Sequence, residues 1–159
     1  MYFFRINLFL NLLAFSFSSV ADGVWDQAPP GPEEAVEITV YRSPNCGCCG
    51  IWLEHMKQHN FVVTDIKSEN MNAIKQQYGV RPELASCHTA VVDGYVIEGH
   101  VPAADVRKLL TEKPARSGIA VPGMPVGTPG MEMGGQKQPF SVISFDQKGQ
   151  ELFTEYRFY

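Results

Sequence analysis

Two short runs of strand-forming residues, Thr89–Val92 and Tyr95–Glu98, are separated only by Asp93-Gly94. A two-residue Asp-Gly connection favours positive φ at both positions and closes a hairpin. Units of a different kind precede it. Ala35–Tyr41 alternates and is rich in β-branched residues, breaks at Ser43-Pro44-Asn45, and leads into a helical stretch from Gly47 to His59. Phe61–Ile66 reads as a second strand and is followed by a helix opened by Ser68 and closed by Gly79. Val80–Ser86 then runs as a loop through Arg81-Pro82, and after the hairpin Pro102 opens a third helix that stops before Pro114. The order is β-α-β-α-β-β-α. A helical crossover makes the first two strands parallel and the hairpin makes the last two antiparallel, so the class is α/β with a mixed sheet.

This is a thioredoxin-like order, and the expected domain spans residues 35–159. From Pro114 to Pro139, eleven of 26 residues are Gly or Pro, which predicts a long irregular loop that carries Met124, Met131 and Met133. Phe140–Phe145, an Asp146–Gly149 turn and Glu151–Phe158 predict a C-terminal hairpin outside the minimal fold. At the other end, Met1–Asn7 carries Arg5 and no acid, Leu8–Val20 is mostly apolar, and Ser19-Val20-Ala21 offers small residues. That is the pattern of a signal peptide, with cleavage expected after Ala21 and export to an oxidising compartment. The apolar run falls short of the roughly 20 residues that span a bilayer and is interrupted by Asn11, Ser16, Ser18 and Ser19, so no membrane anchor is expected after cleavage. Residues 22–34, with Pro29, Pro30, Gly31 and Pro32, read as a flexible leader.

With 159 residues and 45% apolar content, the chain can bury a core without disulfides, so its four cysteines need another explanation. Thirteen Lys+Arg against seventeen Asp+Glu, with no basic cluster, exclude the electrostatic footprint of a nucleic-acid binder. Three cysteines lie in Cys46-Gly47-Cys48-Cys49, at the junction of a strand and a helix. Free N–H groups and the helix dipole favour thiolates there. Cys46 and Cys49 have the spacing of a redox dithiol. Cys48 makes a clean exchange cycle ambiguous, whereas three thiolates on one turn suit a soft metal. In a thioredoxin-like fold the residues leading into the third strand face the start of the first helix, and Cys87-His88-Thr89 stands there without the proline usual in thioredoxins. Four sulfurs are therefore expected to converge.

Other readings compete. Two structural disulfides would make a stapled interaction module, but a bridge among cysteines this close gains little denatured-state entropy. A thiol-disulfide oxidoreductase would use Cys46 as attacking thiol and Cys49 or Cys48 as resolving thiol. Zinc could take four thiolates, or three with His88. The three-plus-one grouping, the export route and the thioether-rich loop favour Cu(I). Candidate outer ligands are His88, His100, Met124, Met131 and Met133, although a lone histidine at a strand end, such as His100, is ordinarily solvent-facing or bonded to backbone. His55 and His59, spaced i, i+4 near a helix C-terminus where positive charge is favoured, read as structural.

Four segments occur in order: Ser43–Cys49 with Trp52 and His55, Ser86–Val92, Gly94–Pro102 and Val121–Gly127. Over about Val36 to Tyr156 the chain resembles the CopG-type copper-resistance proteins of Gram-negative bacteria. The resemblance implies a periplasmic thioredoxin-like protein in which Cys46, Cys48, Cys49 and Cys87 hold a small Cu(I) cluster. It also implies a role in copper redox interconversion alongside other periplasmic copper-handling proteins. Whether such a protein turns copper over or only holds it stays open, and no catalytic residue is assigned.

Overall fold

A computed structural model describes residues 24–25 and 34–159 of the chain. The expected signal peptide lies outside the described residues, and so does the leader apart from Val24, Trp25 and Glu34. The elements are β1 (Val36–Arg42), α1 (Gly47–Gln58), β2 (Phe61–Lys67), α2 (Met71–Gln77), a single 3-10 turn (Pro82–Leu84), β3 (His88–Val92), β4 (Tyr95–Glu98), α3 (Ala103–Glu112), β5 (Gly118–Ala120), β6 (Phe140–Phe145) and β7 (Gln150–Tyr156). One seven-stranded sheet runs in the order β2-β1-β3-β4-β5-β6-β7. β1 lies parallel to β2 and antiparallel to β3, and β3 pairs antiparallel with β4 through the expected turn, where Asp93 and Gly94 both have positive φ. The fold is thioredoxin-like. No helix among the described residues is long and apolar enough to cross a membrane.

The region from Pro114 to Pro139 departs from the expected irregular loop. Gly118–Ala120 forms β5, parallel to β4 in the register Val96↔Gly118, and antiparallel to β6. Gly118 permits this approach, since a Cβ there would lie 1.9 Å from the Val96 carbonyl oxygen. The C-terminal hairpin is thereby joined edge to edge with the sheet. A three-residue strand in a Gly/Pro-rich segment is too short to show a period; only its long-range pairing reveals it.

Strand alternation divides the core. Ile97 and Ile119 join the larger cluster with Val40, Trp52, Met56, Val106 and Leu109. Their neighbours Val96 and Ala120 turn to a smaller one with Val80, Leu84 and Phe145. α1 and α3 supply the first cluster, and the 3-10 turn contributes to the second.

Trp25, inside the expected flexible leader, packs on the folded domain. Its Nε1 donates to the Gly127 carbonyl at 2.7 Å, and its ring stands 5.5 Å from Tyr156 and 5.3 Å from Tyr159. Trp25→Ala is expected to lower unfolding stability by on the order of 2 kcal/mol, less than a fully buried Trp because the ring is half-exposed. Urea unfolding followed by circular dichroism measures this, and an unchanged midpoint would show that Trp25 only rests on the surface.

Candidate metal centre

Cys46 is the N-cap of α1, with no side-chain cap and no acid in the first turn. The N–H groups of that turn therefore remain available to negative charge. The turn itself is braced. Cys46 N–H donates to Ser43 O at 3.1 Å. Arg42 donates to Cys46 O at 3.2 Å while its guanidinium forks onto the Asp65 carboxylate at 2.8 Å on both oxygens. Cys87, one residue before β3, comes from the opposite side. The sulfurs of Cys46, Cys48, Cys49 and Cys87 all lie within 4.8 Å of one another.

Cys46 and Cys49 are joined as a disulfide, and Cys48 and Cys87 are free thiols. A module stapled by two bridges would have both of the latter paired; here one bridge closes a separation of three residues. Burial pushes the Cys87 thiol up to about 12, with the Cys48 thiol nearby adding to the shift. Without a cation Cys87 is a neutral thiol.

Two imidazoles complete the surroundings. Cys87, His88 and His100 form a second group with ligand atoms within 4.8 Å of one another. His100 is fully buried rather than solvent-facing. Its Nδ1 donates to Pro129 O at 2.7 Å, so the lone pair of Nε2 faces Cys87 Sγ at 3.0 Å. A carbonyl on the far nitrogen fixes the tautomer a metal ligand requires. His88 Nδ1 lies 3.4 Å from Cys87 Sγ, while its Nε2 is buried with no hydrogen-bond partner among the described residues. Burial holds both rings well toward the neutral form. Four sulfurs with two neutral imidazoles make a donor group for a soft or borderline cation once the disulfide is reduced.

The methionine loop runs past both sides of this group. On the Cys87 side, Gly123 N–H donates to Ala85 O at 3.1 Å and the Ser86 hydroxyl donates to Gly123 O. On the other, Gly130, at φ +81°, presses on α1 so closely that a Cβ would stand 2.8 Å from Trp52 N and 3.0 Å from Cys48 O. Met124 follows the first anchor and Met131 the second. Met124 and Met133 are exposed and Met131 is half-buried. Pro129 and Gly130 carry no local sequence pattern that marks them, because their contacts to His100 and α1 join segments far apart in the chain.

His55 makes a contact of a different kind from the helix-terminal charge interaction expected of it and His59. His55 Nε2 accepts the Ala103 N–H at 3.0 Å at the start of α3. Burial, then repulsion from His59, lowers its pKa from 6.5 to about 3. Native His55 thus stays neutral where the unfolded chain binds a proton, so stability is complete above pH 6.5 and falls as pH drops toward 3. Between pH 6.5 and 5 this one residue should remove about 2 kcal/mol. Denaturant midpoints of metal-free wild type and His55→Gln across that range provide the check; parallel pH profiles would show that His55 does not titrate differently on folding.

A thioredoxin-like sheet that presents a clustered-cysteine turn to a cysteine and two histidines defines the class: a thiol-rich α/β protein with a side-chain group that could hold a metal ion and with a disulfide inside that group. A family described as a protein of unknown function, DUF411, matches residues 84–131. A solved structure of the copper resistance protein CopG, in a form numbered 2, is 44% identical and covers 78% of this chain and 100% of its own, with a TM-score of 0.74. Form 1 is 46% identical over 77% of this chain and 98% of its own, with a TM-score of 0.72. No curated protein matches significantly. The chain belongs to the CopG copper-resistance protein family.

Proposed function

We propose that this protein is exported to the periplasm, binds Cu(I) through Cys46, Cys48, Cys49 and Cys87, and protects the cell envelope from copper. The observation that carries the reading is the convergence of four sulfurs within 4.8 Å at a helix N-terminus that lowers the cost of thiolate charge. Family membership supports the copper-resistance role, and the apolar N-terminal run ending in Ser19-Val20-Ala21 supports export. The Cys46–Cys49 pair adds a redox route: two Cu(II) ions take one electron each from the reduced dithiol, giving two Cu(I), a disulfide and two released protons. A dithiol reductant then restores the pair.

Anaerobic titration of the reduced protein with Cu(I) against a chromophoric chelator is the test. More than one copper retained per chain is the expected result; none retained, or tighter binding of zinc, overturns it. The Cys46–Cys49 disulfide also favours a second reading, a thiol-disulfide oxidoreductase, which would reduce insulin disulfides at a rate copper inhibits.

The loop gives a further expectation. Pro122 and Pro125 stiffen the chain around Met124, whereas glycines border Met131 and Met133, and Gly123 is pinned beside Cys87. A restricted ligand loses less entropy on binding, so Met124→Leu should speed copper loss more than Met131→Leu. Off-rates equal to wild type in Met124→Leu would make the loop a cover rather than a ligand.

A further inference from the structure

Glu98 has no part in the reading above, yet it is fully buried at the end of β4, where an unpaired carboxylate would be very unfavourable. Its Oε1 accepts the Ser86 N–H at 2.6 Å and a Lys75 ammonium hydrogen at 2.5 Å. Its Oε2 accepts the Thr89 hydroxyl at 2.6 Å. Lys75 reaches in from α2 and also donates to Thr89 Oγ1 at 3.2 Å. Glu98 therefore grips residues on both sides of Cys87. The β1–β3 ladder begins only at Arg42↔His88, and Thr89↔Glu98 closes the β3–β4 ladder. Ser86 lies beyond both, and its N–H finds the carboxylate. The grip is close-fitting as well, because a Cβ on Gly99 would strike the Ser86 side chain and lie 2.6 Å from Val121 O.

We propose that Glu98, neutralised by Lys75, is the positioning residue that holds the Ser86–Thr89 segment so that Cys87 meets the C-x-C-C turn. The carboxylate supplies the hydrogen bond that the sheet cannot give Ser86, and the ammonium offsets the charge of that carboxylate. Lys75 also lines an open cavity of about 470 Å³ with Asn72, Gln76 and Pro82.

The test reads the thiols directly. In a Cys46→Ser/Cys49→Ser background only Cys48 and Cys87 remain, and their disulfide equilibrium with glutathione reports their effective concentration. Glu98→Ala/Lys75→Met removes the grip without stranding a charge and should lower that value about tenfold, the scale of lost support around a site. Glu98→Gln/Lys75→Met keeps an acceptor for Ser86 N–H and should recover most of it. Asp105→Asn, which weakens bonds to Thr154 and Tyr156 elsewhere, should leave it unchanged. The proposal is overturned if the Gln variant does no better than Ala, if both match wild type, or if Asp105→Asn falls equally. Should the alanine variant not fold, Glu98→Asp, which keeps the charge and shortens the reach, must itself lower the value several-fold. The metal arm alone rests on the proposed function: with all cysteines present, the alanine variant should lose copper to a chelator faster than wild type. A wild type that binds no copper would remove the copper reading while the thiol equilibrium still decides Glu98.

Discussion

Cys87→Ser is expected to lower Cu(I) affinity by more than about a hundredfold, beyond the loss typical of removing a residue that only supports a ligand, and to leave the fold intact. Cys87 is the one sulfur that does not ride on the α1 turn, so its removal opens the site without touching the helix that carries the others. A serine hydroxyl occupies nearly the same space but does not supply a soft thiolate. Chelator competition together with circular dichroism checks both halves. An unchanged affinity and stoichiometry would place Cys87 outside the metal site despite its position.

Alkylation should separate three states of the protein just as sharply. With the Cys46–Cys49 disulfide formed, only Cys48 and Cys87 are open to iodoacetamide, and Cys87 should react more slowly because its thiol is raised to about 12 and the thiolate is the nucleophile. Reduction should open all four cysteines. Cu(I) loading should then protect them, since the metal occupies the electron pairs that alkylation needs. Mass spectrometry counts the labels in each state. Equal labelling of the reduced and copper-loaded forms would refute a thiolate metal site.

The hairpin and the convergence of the four cysteines were legible because their signals are local. Asp93-Gly94 announces its turn in two residues, and Cys46-Gly47-Cys48-Cys49 sits at a strand-to-helix junction that the flanking patterns define. Even the placement of Cys87 follows, since strand order alone brings the start of β3 to the start of α1. What escaped depends on partners far along the chain. β5 exists because Gly118 can press on Val96, and nothing within Gly118–Ala120 announces a strand. His100 looks like a strand-end histidine until Pro129, from the middle of the loop, caps its Nδ1. Glu98 carries no local signal of burial, and its ion pair comes from Lys75, 23 residues earlier.

The fastening of the methionine loop at Gly123 and again at Gly130 has a consequence for how this family can vary. Surface loops ordinarily absorb insertions and deletions at little cost. Here one end is fixed to the approach to Cys87 and the other to the backbone beside Cys48, so the intervening length acts as a gauge block between the two halves of the site. One residue more or fewer between those glycines would be felt as a change in the separation of the sulfurs. Evolution can therefore exchange side chains along this stretch far more readily than it can alter the number of residues in it.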